Sequence, residues 1–303
     1  MNYIISLKGN KKRKIEAITG LIMIAPAIIL LGIFVFTPLI MAVYRSFFDT
    51  NALGSTFVGL KYYVKSFTNK NFLESVLWVL MYAVIITVTQ MIISFLFANL
   101  LTKVRGRYGI FVRTIIYLPY LLSGVVVSVI FYLLTCYNCG VINTFVQDMG
   151  FNPIGFDSSV GWASVSIIIP TIWIGFGYTT LVMYAGLINI PKDYYEAAQM
   201  DGANFFQRMF YVSIPCMKNY FILLIVTSII ANLQMYEIPL MMLGYGNASS
   251  KISTPVLYIM GQQGKGANIS DSEITSMALI LMVIILLINS LVFYMFRDRK
   301  ENK

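Results

Sequence analysis

The chain has 303 residues, of which 58% are hydrophobic and only 12% charged, with a net charge of +9. Soluble globular proteins are roughly half apolar and about a quarter charged, so these side chains cannot coat a water-facing surface of this size. The sequence contains no histidine, which removes every imidazole-based triad and imidazole metal site.

Charged residues act as punctuation. None occurs from Ala17 to Tyr44, Ser75 to Thr102, Thr114 to Gln147, Ser158 to Pro191, Asn219 to Tyr236, or Ile274 to Phe296. A helix needs about 20 mostly apolar residues to cross the roughly 30 Å hydrocarbon core. Backbone amides in lipid must be satisfied within the segment, and these runs lack the alternation of barrel strands, so helices are expected. The composition predicts an all-α membrane protein with six transmembrane helices. Lys8, Lys11, Lys12, Arg13 and Lys14 resemble the basic start of a signal peptide, but the apolar run behind them is longer than such a peptide carries. It reads as a retained first span.

If the N-terminus is cytoplasmic, sixteen of the twenty-two basic residues fall on the cytoplasmic side. That asymmetry follows the positive-inside rule and predicts cytoplasmic termini, with an N-tail over 1–16, a membrane domain over 17–296 and a C-tail over 297–303. The positive charge is thereby a topology signal with an attraction to membrane lipid, and no nucleic-acid partner is expected.

The spans contain breakers and polar groups. Pro26 and Pro38 interrupt the first, Pro119 the third and Pro170 the fourth, where Gly175, Gly177 and Gly186 also lie. Packing against neighbours is the plainer reading of these residues, and bending around a central pathway the functional one. Gln90, Asn99 and Asn289 read as interhelical hydrogen-bonding residues. Asn232, Gln234 and Tyr236 gather near the outer end of the fifth window, with Glu237 following, and are the candidates for a polar substrate route. Glu237 has a second reading, in interfacial water.

Other signals lead nowhere catalytic. Gly261 and Gly266 have P-loop spacing, but Ala267 and Asn268 follow where Lys and Ser or Thr are needed. The stretch 244–272, rich in Gly, Ser and Asn, reads as irregular and external. Cys136 and Cys139 form a Cys-x-x-Cys pair; coincidence is the first reading and an external disulfide the second, while Cys216 carries no message. No catalytic residue, metal site or cofactor is expected, and the chain has no ATPase site of its own.

The most informative stretch runs from Pro191 to Pro215. Pro191 suits a first helical turn, Asp193 and Glu196 complement the helix dipole there, and Gly202 suits a left-handed helix end. Asn204 and Gln207 have capping-box spacing for a second helix. Ala197 and Ala198 give a smooth face. Tyr194, Tyr195, Phe205, Phe206 and Phe210 are too many aromatics for a solvated loop, so the surface wants a partner or the membrane face.

This pattern resembles the EAA loop of permease subunits of binding-protein-dependent ABC importers: Glu196-Ala197-Ala198, Gly202 and Pro215 stand in register, and Asp201-Gly202-Ala203 is similar to the Asp-Gly-Ala of sugar permeases. Ala25-Pro26-Ala27, Gly59-Leu60-Lys61-Tyr62-Tyr63, Leu118-Pro119-Tyr120 and Met235-Tyr236-Glu237-Ile238-Pro239 also resemble the subfamily of the maltose and glycerol-3-phosphate systems. Gly244-Tyr245-Gly246 departs from its Gly-Gly-Pro pattern. The resemblance implies a type I (MetI-like) permease fold in a bacterial plasma membrane. It also implies a coupling loop at 191–215 in which Glu196, Ala197, Ala198, Asp201 and Gly202 meet the ATPase. The implied partners are a second homologous permease, two ATPase subunits and an extracellular solute-binding protein. The function so implied is import of sugars, oligosaccharides first. The alternatives are a non-sugar solute for the same machinery, or an ion-coupled carrier, whose internal repeats and buried ionisable groups are not evident here.

Overall fold

The computed structural model describes residues 2–51, 54–104, 106–156, 160–243, 252–263 and 269–296. Its contacts divide the chain into two units, Met1–Ser66 with Ile269–Leu279, and Phe67–Asn268 with Ile280–Lys303.

The first unit begins with helix α1 (Asn2–Leu31) and continues through a wide turn at Gly32–Phe36 into α2 (Thr37–Ser46). Glu16–Ser46 is one apolar helix long enough to cross a membrane, and none of its most apolar window is buried. Pro38 therefore does not interrupt it. The wide turn absorbs the missing donor, and the Thr37 hydroxyl donates to the Gly32 carbonyl at 2.8 Å. The expected all-helical chain is broken by a short antiparallel hairpin, β1 (Phe48–Asn51) with β2 (Gly54–Phe57), Phe48 opposite Phe57. Aromatic and threonine residues favour that pairing, and the Phe48 and Phe57 rings meet edge-on at 5.3 Å. Helix α3 (Lys61–Thr68) follows, and Lys65 within it pairs with Glu273 at 2.6 Å. Glu273 is 1% exposed, so this pair compensates a charge that could not otherwise stay buried.

The second unit is a helical assembly. In chain order it holds α4 (Lys70–Leu101), α5 (Gly106–Tyr117), α6 (Gly124–Thr135), α7 (Val141–Asp148), α8 (Val160–Ile188), α9 (Lys192–Met200) and α10 (Phe205–Arg208). These are followed by α11 (Ile214–Cys216), α12 (Lys218–Leu233), α13 (Glu237–Leu243), α14 (Pro255–Gln263) and α15 (Asp271–Phe296), whose first residues belong to the first unit. One core joins Tyr82 and Ile86 of α4 to Ala163 and Ile167 of α8 and to Ile238 and Met242 of α13. A second joins Met91, Phe95 and Ala98 of α4 to Met183 and Leu187 of α8 and to Leu224 of α12.

Four helical stretches among the described residues are long and apolar enough to cross a membrane, and two bent pairs raise the total to six if each is one span. The third window is thus not a single helix, whereas the fifth holds α12 unbroken and the bend falls just before it, at Met217. Gly106–Leu121 meets Gly124–Thr135 at 94°. Pro119 sits in a tight turn, Leu122 is extended, and Ser123 starts the next helix by accepting the Val126 N–H. Phe205–Cys216 meets Lys218–Leu233 at 73°. Helix α12 has 16 residues and so spans about 24 Å, short of the hydrocarbon core.

Two smaller expectations change. Part of the stretch read as irregular is helical, since Leu257, Tyr258 and Ile259 of α14 are buried; Gly261 is in that helix, and 244–251 and 264–268 lie outside the described residues. Cys136 and Cys139 are bonded to each other as a disulfide, so the coincidence reading falls. The C-tail 297–303 also lies outside the described residues.

Candidate transport site and coupling surface

The surface at 191–215 is built by short-range geometry. Pro191 stands one place before the helix, as the residue flanking α9, because its extended ψ of 137° has not entered the helical range. Helix α9 ends in a Schellman turn: the Gly202 N–H donates to the Gln199 carbonyl at 3.0 Å and the Ala203 N–H to the Ala198 carbonyl at 2.9 Å. Gly202 has φ +78°, which a side chain would strain. Asn204 and Gln207 form the expected reciprocal cap, with bonds of 2.9 and 2.8 Å. The Arg208 guanidinium donates to the Gln199 amide oxygen at 3.2 Å and ties the two helices together. Glu196, Ala197, Asp201 and Gly202 are exposed and Ala198 is half-buried, so this chain does not itself cover the face they form.

The other polar group of residues faces a cavity of about 540 Å³ between α4, α6, α8, α12 and the start of α13. Asn232, Gln234 and Tyr236 line it together, with Glu237 beside them. Asn232 is buried and its amide also donates to the Thr87 hydroxyl at 3.2 Å, so it braces α12 against α4 as well. Glu237 belongs to the wall. Its carboxylate sits against Gly124, in the space a side chain there would fill. Glu237 also opens α13, at the edge of the cavity.

Beside the cavity, α8 packs closely on α4 and α5. Gln90 donates to the Thr179 hydroxyl at 2.6 Å, as expected of an interhelical amide. A Cβ on Gly175 would come within 2.6 Å of the Gln90 amide, and one on Gly177 would collide with the Ile116 carbonyl. These glycines are therefore packing surfaces. Asn99 and Asn289 bond back to their own helices, to the Phe95 and Ile285 carbonyls.

Residues 90–300 match the family described as binding-protein-dependent transport system inner membrane component. The chain belongs to this family. Its relatives include the osmoprotective compounds uptake permease protein GgtC of Synechocystis sp., 31% identical over 76% of this chain and 82% of that one. The lactose transport system permease protein LacF of Rhizobium radiobacter is 28% identical over 93% and 95%. Among solved structures, a bacterial ABC transporter that imports the acidic polysaccharide alginate aligns with a TM-score of 0.81 at 23% identity, over 98% of this chain and 100% of that one; it shares the fold.

In this permease the cavity also recruits residues that sequence reading passed over. Tyr120 and Tyr178 stack with centroids 5.0 Å apart and line one side, and Thr171, Thr227 and Ser228 add hydroxyls. Tyr120 lies just after Pro119, the one clue in the sequence; the others are ordinary residues of apolar helices until α8 and α12 are set side by side. Among the described residues no group of three or more Cys, Asp or Glu side chains is placed to hold a metal.

Proposed function

We propose that this chain is the permease subunit of an ATP-driven importer of sugars, with the cavity around Asn232, Gln234 and Tyr236 as part of the route. The observation that carries this reading is the cavity's chemistry. Amides and hydroxyls supply the donors and acceptors that match sugar hydroxyls, the Tyr120–Tyr178 stack offers an aromatic face for the C–H side of a ring, and Glu237 is the one ionisable acid of the wall, with no cation opposite it. A neutral polyhydroxylated solute suits that wall, as the lactose system named among the relatives would require.

The chain crosses the membrane six times in this reading, each bent pair counted as one passage, with both termini cytoplasmic as the basic residues suggest. A second permease completes the route, an external binding protein delivers the solute, and two ATPase subunits supply the energy. The exposed Glu196, Ala197 and Asp201 are the groups through which closure of the ATPase pair moves α9, with Gly202 fixing the turn behind them. No catalytic group or cofactor on this chain enters the cycle.

Uptake into vesicles holding the complete transporter is expected to require ATP inside and binding protein outside. Uptake that persists without the ATPase and follows an ion gradient would return the chain to the carrier class. A solute panel against the cognate binding protein separates sugars from osmoprotective compounds, which the relative GgtC is named for.

A further inference from the structure

A second cavity, of about 410 Å³, lies behind the coupling helix and away from the transport site. Lys103, Lys192 and Arg208 line it, together with Thr102, Tyr195 and Ser213, and no Asp or Glu does. None of the three cations is in a salt bridge among the described residues. The Lys103 ammonium lies 4.6 Å from the Phe205 ring centre, and the Tyr195 and Ser213 hydroxyls are 2.9 Å apart. Cations near the ends of α4 and α8 are ordinary, since helix C-termini favour positive charge. Lys103, Lys192 and Arg208, the last residue of α10, share this one space with no acidic lining residue and with three hydroxyls beside them, and together form the donor set that a phosphate group needs.

The surroundings bear on where that phosphate comes from. Two membrane-crossing helices, Lys70–Leu101 and Val160–Ile188, end at this cavity, which sets it at the boundary of the apolar layer. The segment beside it exposes Phe206, Phe210 and Tyr211, aromatics of the kind that settle among lipid headgroups. Basic pockets at the cytoplasmic ends of membrane helices hold anionic headgroups. We infer that this cavity binds a phosphate-bearing anion, presented by an anionic phospholipid, so that lipid charge braces the coupling helix from behind. The orientation proposed above decides only which leaflet supplies the lipid.

The complete transporter would be placed in nanodiscs of phosphatidylcholine, with and without phosphatidylglycerol in both leaflets, so that the outcome does not depend on orientation. The wild type and the R107Q control, which removes a cytoplasmic-loop charge that does not line the cavity, should gain about 3 °C in thermal midpoint with the anionic lipid. The K103Q/R208Q double variant should gain nothing, and should lose the excess of phosphatidylglycerol that co-purifies from mixed micelles. Because the reading is a lipid-dependent difference, a lower starting stability of the variant does not obscure it. An equal gain in all three proteins, or a gain in none, would overturn the site. A gain reproduced by inorganic phosphate in phosphatidylcholine alone would overturn the lipid as its source. Loss of ATP-dependent uptake in the intact transporter, with the lipid response kept, would count against the transport reading and leave this one standing.

Discussion

The proposed coupling surface and the proposed transport cavity belong to the same unit but are made in opposite ways. The surface at 191–215 is assembled by bonds between residues a few places apart, such as Ala203 to Ala198 and Gln207 to Asn204, and it presents its distinctive side chains outward. The cavity is assembled by residues far apart in the chain, Gln90 with Thr179 and Thr87 with Asn232, and its polar groups are partly consumed in holding the helices together. Exposure without a partner in the chain points to another protein. Polar groups satisfied around a space point to a solute. A local device tolerates substitution with local consequences, whereas a device made by close approach of long helices does not.

The widest test of that contrast is Gly177→Val. A side chain at this point meets the Ile116 backbone, and overpacking of this kind costs about 3 kcal/mol. The detergent-solubilised protein should show a clearly lowered thermal midpoint, and an unchanged midpoint would mean that the contact is not rigid. Glu196→Lys should act at the surface alone: ATP-dependent uptake should fall about tenfold or more through weakened ATPase association, with membrane insertion and thermal midpoint kept. Normal coupling in this variant would remove Glu196 from the interface.

Gln234→Ala removes an exposed cavity side chain. Uptake should drop about fivefold, the worth of one lost hydrogen bond, without a change in midpoint; a stability loss instead would make Gln234 a packing residue. The most local effect belongs to Asn204→Ala. Loss of the cap costs about 1 kcal/mol, so exchange of the Gln207 amide, which the Asn204 side chain holds, should quicken about fivefold while exchange in α4 and α8 stays the same.

Much of the local layout was legible in the residues themselves. The left-handed Gly202 and the Asn204–Gln207 cap follow from short-range sterics and reciprocal hydrogen bonds, which do not depend on the rest of the fold. The break at Pro119 follows from a missing donor. The 94° and 73° bends did not follow, because an uncharged window states that a segment tolerates lipid and says nothing of its direction. The hairpin at Phe48–Phe57 was hidden because strands this short leave almost no periodicity. The three cations behind α9 read in the sequence as topology signals, and only folding brings Lys103 to the same space as Arg208.

The low charge and missing histidine set the solvent and removed imidazole-based chemistry, and the run from Glu196 to Pro215 carried the coupling pattern, because these properties reside in composition and in contacts between near neighbours. Which amides and hydroxyls would share a cavity, and which glycines would become contact surfaces, was decided only when α4, α8 and α12 packed. Those groupings join residues up to 145 positions apart, as Thr87 and Asn232 are, and depend on the angles at which helices cross, a quantity no local pattern encodes.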